Sequence, residues 1–131
     1  LMPIMAKAAE PGTSRQLNIT QIFLNNEVVF AYLHTCTDYL ASLKEKPFFM
    51  ANAQLTVIEL VKELKKAKPE VSEEDLGKMV LKKREKISAA ETALMKQKGC
   101  ESKAALEAKD FFVHMGDTPP NQFMVMLSEI K

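Results

Sequence analysis

The stretch from Ile19 to Leu43 constrains this chain more than any other. Ile22, Val29, Leu33, Cys36, Leu40 and Leu43 follow one another at spacings of seven, four, three, four and three. At 100° per residue these six side chains share one narrow sector of a helix. Glu27, His34, Asp38 and Glu45 fall nearly opposite, and Phe23, Phe30, Tyr32 and Tyr39 widen the apolar sector on both sides. A helix apolar over so much of its circumference packs against several neighbours. The pattern therefore predicts the central element of a helical core, with a seam of the kind used in bundles. Its weak point is Asn25-Asn26-Glu27, because Asn is a poor interior helix residue and a good N-cap. A helix starting at Asn26, with residues 19–24 as a separate turn, is the alternative.

The rest of the chain supplies partners for that helix. Residues 1–17 contain Pro3, Pro11, Gly12, Thr13 and Ser14 with little periodicity, and read as an extended N-terminal arm with an apolar tip at Leu1 to Met5. Residues 18–131 read as a single domain. Lys44-Glu45-Lys46-Pro47 ends the central helix and opens a second. This one runs from about Phe48 to Ala67 and buries Phe49 (or Met50), Ala53, Val57, Leu60, Val61 and Leu64. Lys68-Pro69 breaks it. Ser72, with carboxylates at Glu73, Glu74 and Asp75, caps a third helix to Lys98. The spacing predicts Leu76, Met79, Val80, Ile87, Ala90 and Leu94 inward, and Gly99 suits the position just past its end. Ser102 caps a fourth helix, from about Lys103 to Met115, bearing Ala105, Leu106, Ala108, Phe111, Phe112 and Met115. After Thr118-Pro119-Pro120 a last helix, about Asn121 to Ile130, places Phe123, Met126 (or Met124), Leu127 and Ile130 on one stripe. No strand pattern competes. The expected fold is all-α: a four- to five-helix bundle, mostly antiparallel, with the extended N-terminal arm.

Composition narrows the function classes. The net charge of +1 over 131 residues favours neither nucleic acid nor an anionic membrane. No apolar run approaches the ~20 residues of a membrane span. The charge is unevenly placed: residues 1–58 hold eight of the 35 charged residues, so the first half supplies the core and the second and third helices present a solvated charged surface. Their lysines, from Lys62 to Lys86, interleave with acids and lack exposed aromatics for base stacking, which argues against nucleic acid. Leu1-Met2-Pro3-Ile4-Met5 before Ala6-Lys7-Ala8 has the form of a signal-peptide end, with an Ala-rich linker as the alternative. Cys36 and Cys100 allow one disulfide, pinning a loop to the central helix; two unrelated thiols are the other reading. An exported (periplasmic or secreted) and a cytoplasmic protein both fit.

Catalytic constellations are not assembled by this sequence. His34 and Asp38 lie one turn apart, but Cys36 points away from them, so they read as a surface i,i+4 pair. Two histidines and no Glu-x-x-His give no metal site, and His114 reads as a partly buried histidine at a helix end. Phosphate loops and hydrolase or zinc-protease motifs are absent, so no cofactor is expected. Eight methionines are many for this length. Met-rich apolar surfaces re-pack against varied partners. Phe111, Phe112, Met115, Phe123, Met124, Met126 and Leu127 cluster near the C-terminus; they read as a soft core filled with Met or as an interaction surface, since the Pro pair frees the last helix to dock in cis or in trans. The expected function is a non-enzymatic protein-binding module: an adaptor, a secretion-associated chaperone or an inhibitor of a partner. Its partner is another protein or a second copy. The alternative is a bundle holding a small apolar ligand, such as a lipid, between its Phe- and Met-bearing helices.

Overall fold

A computed structural model describes residues 13–37 and 44–131. The Ala6-Lys7-Ala8 pattern, Asp38, Leu40 and Leu43 lie outside these. The described residues form an all-α bundle of five helices: α1 (Ser14–Cys36), α2 (Lys46–Ala67), α3 (Glu73–Lys98), α4 (Lys103–Gly116) and α5 (Pro120–Glu129).

α1 is the hub and packs against α2, α3 and α4. It differs from the expected central helix at both ends. Ser14 to Leu17, expected in the arm, are helical. Thr13 is extended, and its Oγ1 accepts a hydrogen bond from the Gln16 backbone N–H at 3.0 Å. That is a helix N-cap, and it settles one of the donors a helix start leaves open. The helix runs through Asn25-Asn26 without a break; Gln21 Nε2 donates to Asn25 Oδ1 one turn on, at 3.1 Å. Asn26 does not act as a cap. It is buried, and neither polar atom of its carboxamide meets a hydrogen-bond partner among the described residues. The other end comes at Cys36, earlier than Leu43. Thr37 is extended, and its Oγ1 donates to the Leu33 carbonyl at 2.6 Å.

The core has two parts strung along α1. Ile19 and Phe23 pack with Leu60 of α2 and Val80 of α3. Val29, Phe30 and Leu33 pack with Phe49, Ala53, Met95, Ala105, Ala108, Phe112, Met115, Phe123 and Leu127. Phe49 sits edge-on to both Phe30 and Phe112, with ring centroids 5.2 and 5.3 Å apart. Such arrangements set the positive ring edge against the negative face.

α2 buries Phe49, Ala53 and Leu60 as its spacing predicts, but its inner line also takes in Asn52, Thr56 and Glu63, while Met50 stays partly exposed. Asn52 ties α2 to the end of α4. Its Nδ2 donates to the Met115 and Thr118 carbonyls, both at 2.9 Å. Carbonyls at a helix end lack intrahelical partners, and the Asn52 amide supplies one.

α3 departs from its predicted stripe. Leu76 and Val80 are buried, but Met79 and Leu94 are 45% and 42% exposed, Ala90 is exposed, and Met95 takes the inward place. The inner line of α3 passes through Arg84, a charged residue that masks its phase in the sequence. In α4, Ala105, Ala108, Phe112 and Met115 face inward; Leu106 and His114 are exposed, unlike their expected placement. Gly116 is buried against the chain entering α2. A Cβ there would fall 2.6 Å from the Glu45 carbonyl oxygen, so close approach demands glycine.

Candidate functional site

Two surface features stand out, and they share no lining residue.

The first is built by α5. This ten-residue helix lies against α2 and buries Phe123 and Leu127. Its end is held by Arg15 of α1. The guanidinium donates to the Leu127 and Ile130 carbonyls at 2.6 and 2.8 Å, and to Glu59 and Glu63 of α2 at 2.6 and 3.1 Å. Ser14 Oγ and Asn18 Nδ2 donate to the Lys131 carbonyl at 3.0 and 3.2 Å. One cation therefore caps α5 and ties three helices together. Burial alone would lift the Glu63 carboxyl, but hydrogen bonds and charge from Lys66 and Arg15 outweigh it and hold the group below the usual carboxylate range. The last helix is docked in cis.

That docking separates the seven residues expected at a binding surface. Phe112, Met115, Phe123 and Leu127 are buried in the core, and Phe111 is half-buried against it. Met124 and Met126 remain outside, 56% and 46% exposed. Sequence reasoning missed their companions: Val125 (56% exposed) and, across on α2, Ile58 (43%). Leu55, Ile58, Met124 and Leu127 line a shallow groove of about 160 Å³ between α2 and α5, with Glu59 and Lys62 at its edge. The run Met124-Val125-Met126 follows no helical stripe. Three consecutive apolar residues on a helix held by one narrow line leave part of the set outside, a signal that was readable in the sequence.

The second feature is a cleft of about 640 Å³ between α1 and α3, reached by Met50 of α2. Glu27 and His34, predicted on the polar face of the central helix, both line it. His34 is exposed, but Glu27 is buried, contrary to its expected place on a solvated line. Its Oε2 lies 3.1 Å from Arg84 Nε, and the Arg84 guanidinium stacks on Phe30, 4.7 Å from the ring centroid. Burial pushes the Glu27 carboxyl up to about 7; the charge and hydrogen bond of Arg84 offset this only in part. The α3 wall is built from short side chains, Ser88, Ala89, Thr92 and Ala93, which keep the cleft open.

Cys36 and Cys100 form a disulfide, with Cα atoms 5.5 Å apart, joining the end of α1 to the loop after α3. Among the described residues, no three His, Cys, Asp or Glu side chains are grouped to hold a metal, and no helix is long and apolar enough to cross a membrane. No protein-family model, curated protein or solved structure matches the chain.

Proposed function

We propose that this chain is a non-catalytic helical protein-binding module whose contact face is the outer side of α5 joined to the neighbouring side of α2. The observation that supports it most is the exposure of Met124, Val125 and Met126 on α5, with Met124 sharing the groove wall with the exposed Ile58 of α2. Exposed apolar side chains grouped beside a groove are characteristic of interaction sites, and unbranched Met side chains adapt to varied partner shapes. The expected surface is thereby narrowed: the buried Phe and Leu residues build the platform, and the Met pair meets the partner. An adaptor, a chaperone or an inhibitor would all use such a face, and self-association is the simplest case. The Cys36–Cys100 bond favours an oxidising, extracytoplasmic setting for that role.

The reading is tested with Met124→Glu/Val125→Glu, a double variant at exposed positions. Sedimentation and affinity capture from the native source should show self-association or a specific set of retained proteins for the parent chain, lost in the variant at unchanged helicity and melting temperature. If the variant associates and retains the same proteins as the parent, the face is not the contact surface.

A further inference from the structure

We propose that the cleft between α1 and α3 binds a small monocarboxylate with an apolar body, the ligand carboxylate taking Arg84 in place of Glu27. The cleft is remote in kind from the α2/α5 face: it is an open surface cleft of about 640 Å³ bounded by both charged and apolar groups. Its lining divides by chemistry. Met50, Ala89 and Ala93 offer apolar contact, while buried Phe30 supports the guanidinium stacked on its ring; Arg84 and Lys96 offer positive charge. A guanidinium fork matches a carboxylate with two parallel hydrogen bonds. Among the described residues, Arg84 makes its ion pair to Glu27 through Nε. Its side chain is 30% exposed, so an incoming anion reaches it without unfolding α3.

Glu27 is the group that makes exchange feasible. Its carboxylate is buried, and an ionised carboxylate in that setting is costly once its cation is shared. When a ligand anion engages Arg84, Glu27 takes one proton from solvent and stays in place as a neutral acid. One anion and one proton enter together, so the charge of the site is conserved. Arg84 faces Glu27, and the other charged and titratable groups lining the cleft are Glu85 and Lys96 from α3 and His34 from α1; α2 contributes Met50. The raised carboxyl of Glu27, near 7, puts this proton uptake within reach at neutral pH. By linkage, binding weakens as pH rises above the Glu27 titration, approaching roughly tenfold per pH unit.

The test titrates sodium octanoate into the intact protein at pH 6 and pH 8, by calorimetry and by amide chemical-shift mapping, with octanol and octylammonium as controls. Octanoate is expected to bind at least several-fold more tightly at pH 6, shifting amides around Arg84, Ala89 and Ala93, while neither control does. Glu27→Gln should bind octanoate equally at both pH values and more tightly than the parent chain at pH 8. Arg84→Gln should lose binding. Because Arg84→Gln exposes the fold to risk, Ala89→Leu serves beside it: at an exposed position it fills the cleft, and should block octanoate at an unchanged melting temperature. Equal binding of octanol, pH-independent affinity in the parent chain, retention by Ala89→Leu, or no binding by either the parent or Glu27→Gln at millimolar octanoate would overturn the proposal.

Discussion

Glu27 shows how one side chain can invert its expected role. By spacing it belongs to the polar line of α1 with His34, yet it lies buried beside Arg84. Its carboxyl, raised to about 7 from the ordinary value of 4.5, binds protons more readily in the folded than in the unfolded chain. The folded state is therefore favoured by protonation, and stability falls as pH rises through the window from about 4.5 to 7. Glu63 works in the opposite sense: its lowered titration gives stability above the unfolded value that is lost as pH falls below it. Between pH 5 and 8 the Glu27 contribution dominates. Urea unfolding should show the parent chain losing on the order of 2 kcal/mol across that interval, with Glu27→Gln flatter and more stable at pH 8. Equal pH dependence in both proteins would show that Glu27 titrates normally. The sequence pattern misplaces this residue because its neighbours on α1 do not include Arg84, which arrives from α3.

At the scale of elements, helix ends are the most legible features. Ser72 and Ser102 cap α3 and α4 as expected, each side-chain oxygen accepting from the backbone N–H three residues on, and Gly99 closes α3 at φ 93°. These are interactions within one turn, so spacing alone reveals them. Thr13-Ser14-Arg15-Gln16 carries a comparable T-x-x-Q signal, hidden by the low periodicity of the residues around it. The ends of α4 and α5 are different. Asn52 holds one and Arg15 the other, from 63 and 112 residues away. Arg15→Met keeps much of the stem but removes the guanidinium donors to the Leu127 and Ile130 carbonyls, leaving the Leu127 carbonyl with the Ile130 N–H and the buried Glu63 with Lys66 as its remaining cation. It should cost roughly 2 kcal/mol, discounted for the partial exposure of the pair. Hydrogen exchange should quicken first in residues 126–130. Unchanged protection there would mean that packing of Phe123 and Leu127 alone holds α5.

For the whole molecule, the disulfide is the longest covalent constraint, closing a loop with a sequence separation of 64 residues between α1 and the α3–α4 loop. Chain-entropy reasoning for a loop of that length gives about 4 kcal/mol, an upper figure because reduced chains retain structure. Unfolding followed with and without reductant should show the reduced protein less stable by roughly 2–4 kcal/mol, with the helical spectrum retained at low denaturant. Coincident transitions would mean that the bond adds no constraint. Spacing leaves this bond open, since two cysteines state only that one pairing exists; the meeting of α1 with the α3–α4 loop decides it.

Periodicity and capping are properties of residues within about four positions of one another, and from them the sequence by itself determined the all-α class, the centrality of α1 and most helix boundaries. What the tertiary structure decided is which polar groups go inside and which apolar ones stay out. Glu27, Asn52 and Arg15 are placed by partners on other helices. Met124, Val125 and Met126 are left outside because α5 meets the body along the single line of Phe123 and Leu127. A buried charge or amide is tolerated only where a complementary group faces it, and that complement is a fact of three-dimensional packing, which no local spacing encodes.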